Sequence, residues 1–266
     1  MAKVIVIDPG HGGLDPGAVG NGLQEKDVTL AIAQRASYFL RQYGADVRLT
    51  RAGDRTFSTN KHADLNARAE FANNAQAAYF VSIHINAGGG SGFESYVMTG
   101  MADEEAGRRQ NIMHREVAEA FEKAGLPDRG KKTANFAVLR LTNMPAILLE
   151  CGFIDRDEDA TLLRNRTFID SIAEAIARGA AKAMGIFSSP LVDNPSPNQP
   201  QVISKYYKDI TPGMEWAAAS VDKLFERGIM RGDGQGNFRP FDKMTRLEAA
   251  VALNHAIEYV LKQLSR

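Results

Sequence analysis

The 266-residue sequence predicts an α/β fold: a mostly parallel twisted sheet flanked by helices, followed by a small all-α C-terminal module. Three observations predict it. From residue 1 to about 186, short β-branched or aromatic runs alternate with longer amphipathic ones, the pattern of parallel strands joined by crossover helices. The segment 187–203 holds four prolines in the thirteen residues from Ser188 to Pro200 and reads as an extended, semi-rigid linker. Residues 204–266 then form a second, smaller unit with helical patterning.

Taken in order, Val4-Ile5-Val6-Ile7 is a run of β-favouring residues and gives the first strand. The stretch 25–43 carries Val28, Ile32, Ala36, Phe39, Leu40 and Tyr43 at helical spacing and stops at Gly44, so it is a helix with one core-facing side. Further strands are expected at 46–49, 79–84, 92–98, 137–140 and 146–151, and further helices at about 60–75, 103–124, 157–163 and 167–185. In the second unit a helix is expected over 215–227, ended by Gly228, with Trp216, Ala219, Val221 and Leu224 inward. After the turn-rich segment 232–237 another helix begins near Thr245, where Glu248 stands at capping-box spacing.

Bulk composition narrows the functions available. Lys+Arg and Asp+Glu are balanced at 32 each, which gives no electrostatic case for nucleic acid or an anionic membrane as partner. A single cysteine, Cys151, excludes an internal disulfide and a cysteine-based structural zinc site. No stretch reaches the roughly 18 apolar residues a bilayer span needs, and the N-terminus runs directly into a strand without a signal-peptide layout. Synthesis in the cytoplasm is therefore expected, with release by another route if the substrate lies outside.

Four side chains sit at turns leaving the strand-like runs. His11 lies in Asp8-Pro9-Gly10-His11-Gly12-Gly13, His84 in Ser82-Ile83-His84-Ile85-Asn86, and Glu150 in Leu148-Leu149-Glu150-Cys151-Gly152; Glu25 opens the first helix. Open α/β sheets place ligand sites beyond the carboxyl ends of their strands, where three of these four residues fall. Two His and one Glu are the three-ligand set of a hydrolytic zinc site, and a second Glu outside the set is the base such a site requires. Glu150, among Ile147, Leu148, Leu149 and Phe153, is the candidate base, because a carboxylate in apolar surroundings is costly unless it works. Both acids are glutamates, and only geometry assigns which one meets the metal. Cys151 is expected in the core by strand alternation, and His62, His114 and His255 on solvated helix faces.

The motifs from Ile7 to Ala18, with Glu25, Leu49-Thr50-Arg51, Leu65-Asn66-Ala67-Arg68, Ser82 to Asn86 and Met144 to Ile154, closely resemble the zinc-dependent N-acetylmuramoyl-L-alanine amidases of amidase type 3. The resemblance spans residues 3 to about 184, with the blocks in order. It implies a zinc amidase/carboxypeptidase-like fold and a peptidoglycan hydrolase cutting the bond between N-acetylmuramic acid and L-alanine. It also implies Zn2+ held by His11, Glu25 and His84, with Glu150 catalytic. Asn86, two residues past His84 on the same strand face, is expected beside the metal, touching either a ligand or the substrate, or else serves as a strand-end turn residue. A zinc peptidase acting on ordinary peptides shares the His/Glu/His logic and is the competing enzyme reading.

Tyr207-Lys208-Asp209-Ile210, Trp216-Ala217, Gly228 to Gly232, Asn237-Phe238-Arg239-Pro240 and Met244 to Ala249 resemble a single S-layer homology repeat. That resemblance implies cell-wall binding through a secondary cell-wall polysaccharide. Arg246 is the candidate contact to an anionic sugar substituent, with a first-turn pair to Glu248 as the alternative. Trp216 is a second candidate, although its apolar helix face favours a core role. A wall-targeting repeat without an export signal is like a phage endolysin, with a sporulation mother-cell lytic amidase as the alternative; both act after lysis.

Overall fold

Val4–Pro9 forms β1, and all but its first residue are buried, as a run of β-branched side chains demands in the middle of a sheet. The computed structural model describes residues 3–186, 204–210, 215–240 and 244–264, without the side chains of 215–217 and 264. The chain divides into two compact units, Met1–Leu191 and Val192–Arg266. The proline-rich segment expected to link them lies outside the described residues.

In the first unit β1 is followed by a two-strand ribbon, β2 (Val19–Gly20) and β3 (Leu23–Gln24), then α1 (Glu25–Gln42) and β4 (Asp46–Leu49). Next come α2 (Lys61–Asn74), β5 (Tyr79–Asn86), β6 (Phe93–Met98), α3 (Glu105–Lys123) and β7 (Asp128–Ala134). A four-residue helical segment α4 (Ala137–Arg140), β8 (Ala146–Phe153), α5 (Asp157–Leu163) and α6 (Arg166–Ala183) complete the unit. The six-stranded sheet has the order β4-β1-β5-β8-β6-β7. Strands β4, β1, β5 and β8 are mutually parallel; β6 runs antiparallel to β8, and β7 is parallel to β6.

One sheet face packs on α1, α3 and α6. Their buried side chains, among them Ile32, Leu40, Met113, Phe121, Ile172 and Ile176, join Ile5, Ile7, Val81, Ile83, Ile147 and Leu149 in the main core. Cys151 is buried there, as strand alternation requires. The expected inner face of α1 is present, with Val28, Ile32, Ala36 and Leu40 buried and Phe39 and Tyr43 packed at its edge. The other face is covered at its lower end by α2 and α4 through Ala72, Val138 and Leu139. Its upper end carries His84 and Glu150.

Two local expectations are corrected. Residues 137–140, expected as a strand, form α4, and the sixth strand is instead β7, whose sequence Asp-Arg-Gly-Lys-Lys-Thr-Ala has no apolar alternation. It occupies the sheet edge and is largely exposed, where charged side chains protect an open strand from pairing with other chains. His114, expected in solvent, is buried between Ser95 Oγ at 2.8 Å and Asp128 Oδ1 at 2.9 Å.

In the second unit α7 (Glu215–Glu226) and α8 (Arg246–Leu264) flank a loop closed by Asp233, whose Oδ1 accepts from the Gln235 and Asn237 amides. Its small core consists of Tyr207, Ile210, Ala218 and Val221 with Phe238 against them. Ala218, not Ala219, faces inward on α7, and Leu224 is half-buried. The expected capping box is formed: the Thr245 amide donates to Glu248 Oε2 at 2.7 Å and the Glu248 amide to Thr245 Oγ1 at 3.1 Å.

Candidate metal centre

Parallel register brings the site together. His84 on β5 stands directly opposite Glu150 on β8, and β1 beside β5 delivers the 10–17 loop to the same end of the sheet. That loop turns sharply at His11, which has φ 61, a left-handed value rare for a residue with a β-carbon. Two buried arginines hold the turn. Arg51 donates to the carbonyls of Pro9 and Gly10 at 3.0 and 2.8 Å, and Arg68 to those of Pro9 and His11 at 2.9 and 2.7 Å. Arg68 is balanced by Asp8 and Asp64 at 2.8 and 2.7 Å. Burial opposes ionisation of Asp8, but Arg68, Thr50 and Ser82 hold its carboxyl below the usual range.

Glu25, the first residue of α1, lies between the two imidazoles. Its Oε2 is 3.1 Å from His11 Nε2 and its Oε1 2.9 Å from His84 Nδ1. Each oxygen also accepts a backbone amide, from Ala18 at 2.8 Å and Ile85 at 3.0 Å, so the carboxylate is fixed from four sides. Burial works against its charge, yet the two histidines pull its pKa far below normal. His11 is raised despite burial, because Glu25 and then Asp15 stabilise its cation. Asp15 Oδ2 sits 2.8 Å from His11 Nδ1 and sets the orientation of that ring.

Candidate ligand atoms of His11, Glu25 and His84 all lie within 4.8 Å of one another, the set among the described residues that could hold a metal ion. The donor chemistry fits a divalent cation: two imidazoles and a carboxylate, with a further carboxylate bonded to the far nitrogen of one imidazole. Space around them is tight. A β-carbon at Gly10 would fall 2.4 Å from His84 Cε1, and one at Gly17 would fall 2.5 Å from Glu25 Oε2.

Glu150, also buried, lacks the partners that Glu25 has. Its Oε2 is buried without a hydrogen-bond partner, and burial first, then the charges of Glu25 and Glu94, raise its pKa well above the ordinary value. Such a carboxyl holds a proton avidly and is spare for chemistry. Asn86 does not reach the triad's bonding network; its Nδ2 donates to Glu94 Oε1 at 2.8 Å. Arg246 is exposed, and the side chain of Trp216 lies outside the described residues.

Glu94 is a further acidic residue of the site that no sequence motif marks. It is buried on β6 directly opposite Glu150 of β8 and accepts from Asn86, from Tyr96 Oη at 2.7 Å and from Arg129 Nε at 2.9 Å, with Lys132 as a further partner. A single acidic residue between Phe93 and Ser95 was the only signal, and its meaning depends on antiparallel pairing with β8.

The model for N-acetylmuramoyl-L-alanine amidases matches residues 5–182. The chain belongs to the N-acetylmuramoyl-L-alanine amidase family. This amidase also carries an S-layer homology domain, matched over residues 206–250. It is 47% identical over 188 residues to the sporulation-specific N-acetylmuramoyl-L-alanine amidase of Bacillus subtilis, covering 70% of this chain and 69% of that one. It is 37% identical over 231 residues to the endolysin of Bacillus phage SPP1, covering 84% and 82%. Among solved structures, the catalytic domain of CwlV, the amidase of Bacillus (Paenibacillus) polymyxa, superposes with a TM-score of 0.62 at 36% identity. That match covers 69% of this chain and 99% of the solved one.

Proposed function

We propose that the amidase hydrolyses the amide between N-acetylmuramic acid and L-alanine of peptidoglycan, using Zn2+ held by His11, Glu25 and His84, with Glu150 as proton carrier. The observation that carries this reading is the pairing of a three-donor cluster with an unpartnered carboxyl on the adjacent strand. Zinc, when bound, supplies Lewis-acid polarisation of the scissile carbonyl and a more acidic water. In its ionised form Glu150 takes a proton from the attacking water at Oε2 and hands that proton to the departing alanine nitrogen, which must be protonated to leave. Its raised proton affinity suits the second half of that task, and Glu94 helps to maintain it. Asp15 keeps the His11 ring in place, and Arg51 and Arg68 keep the His11 turn from relaxing. Asn86, bonded to Glu94, is the candidate substrate contact.

The S-layer homology domain directs the enzyme to a secondary cell-wall polysaccharide of Gram-positive walls, with Arg246 and Trp216 as its contacts. Tethering raises the local concentration of substrate at the active site. The protein acts on the wall after lysis, as an endolysin; the alignment to a phage endolysin along 231 residues supports this. Release from a sporulating mother cell is the alternative, supported by the 47% identity to a sporulation amidase.

Incubation with purified Gram-positive walls tests the proposal. New N-terminal alanine should accumulate, stop on chelation and return on adding Zn2+. Cleavage at another bond, or activity indifferent to chelator, would overturn it.

A further inference from the structure

His84 of β5, Glu150 of β8 and Glu94 of β6 stand in one register row across the sheet. The next strand, β7, extends that row with a cation. Phe93 pairs with Asp128 and Ser95 with Lys131, so Arg129 and Gly130 together oppose Glu94, and Gly130 takes φ 84, the left-handed value such a bulge uses. Strict alternation would put Arg129 and Lys131 on one face. The extra residue instead brings Arg129 and Lys132 to the same side, both donating to Glu94 Oε2, while Lys131 reaches Asn111 on α3. The other oxygen of Glu94 is occupied by Asn86 and Tyr96.

One carboxylate here faces two cations, which leaves a surplus positive charge at the edge of the site. Arg129 spends its Nε on Glu94 at 2.9 Å, and its guanidinium lies 4.8 Å from the Phe153 ring centroid, so the group is held from two sides. Its Nη1 and Nη2 have no partner among the described residues, and the side chain is 36% exposed. A held guanidinium with an open fork is a receptor for a carboxylate. We infer that Arg129, with Lys132 beside it, binds a free carboxylate of the departing peptide and so selects acidic peptides, an assignment that rests on the amidase reading of the site. N-acetylmuramic acid spends its carboxyl in the scissile amide and its nitrogen is acetylated, so the anion must come from the peptide side. Two strand spacings, about 10 Å, separate the Arg129 position from that of Glu150. An extended peptide gains about 3.3–3.6 Å per residue, so the carboxylate belongs to the second or third residue from the cut bond.

Two soluble N-acetylmuramoyl tripeptides test this with the full chain, identical except that the free carboxylates of the second and third residues are carboxamides in one of them. The parent should favour the carboxylate substrate in kcat/KM by about 10–100-fold, the worth of a charge-assisted hydrogen bond, and mostly through KM. Arg129→Glu should reverse the preference, and Arg129→Lys should keep part of it. A merely structural role for Arg129, steadying Glu94 and through it Glu150, would lower turnover of both substrates alike and leave their ratio unmoved. Should Arg129→Glu misfold, Lys132→Gln decides, because it removes the surplus charge and should cut the ratio. Calorimetric binding of the two free tripeptides reads the contact without cleavage: tighter binding of the carboxylate form, with neither substrate hydrolysed, would count against the amidase reading and not against the contact. Equal kcat/KM for the two substrates in the parent, or a ratio unmoved in both Arg129→Glu and Lys132→Gln, would overturn the proposal and leave the amidase assignment standing.

Discussion

At the scale of single residues, the two glutamates near the imidazoles have opposite surroundings. Glu25 accepts two backbone amides and meets two histidines, so it is ionised and immobile; Glu150 has an oxygen with no partner and an environment that favours the proton. Glu150→Gln should therefore retain metal by elemental analysis and lose turnover by about 10²–10⁴-fold, the usual contribution of a general acid–base. Retained turnover would remove Glu150 from the chemistry. Asp15→Asn should act differently, weakening metal binding about 10–100-fold in a chelator competition, because the His11 ring loses the carboxylate that orients it. The identities of these residues were legible in the sequence, being packed into short Gly-rich and strand-end motifs. Glu94 was not, since nothing local distinguishes it from any polar residue on a half-buried strand.

At the scale of elements, the sheet places the site and buried ion pairs hold the loop that completes it. Asp8 and Arg68 are both almost wholly enclosed, and removing one partner of such a pair leaves a buried uncompensated charge. Arg68→Met should destabilise the first unit by about 3–5 kcal/mol in chemical denaturation. The pH dependence has a defined sign. Asp8 has a folded pKa below its unfolded value of 3.8, so its contribution is complete above 3.8 and is lost as pH falls through the lower folded value. In Arg68→Met the folded pKa rises, and acid loss of stability should begin at higher pH; an unchanged acid limb would deny the pair this role. Helices with an apolar stripe, such as α1, were readable because their period is local. Strand β7 was not, since an edge strand needs charge on its exposed side and so carries no alternation, while 137–140 looked apolar only because α4 covers the sheet.

At the scale of the whole molecule, the first unit corresponds to a catalytic domain solved by itself and matched over 99% of its length. Residues 1–186 alone should therefore cleave a soluble muramoyl-peptide at the rate of the full chain, but sediment less with intact walls. Equal wall retention would deprive the second unit of its targeting role. The sequence by itself determined the α/β class and marked His11, Glu25, His84 and Glu150 as candidates, because periodicity, caps and motif spacing are written within a few residues. Only the tertiary structure decided that β6 and β7 run opposite to the other strands, that His114 is enclosed, and which glutamate lies between the imidazoles. Those facts depend on strand register and on charges brought together from dozens of residues apart, and their energies exist only once the sheet has closed around them.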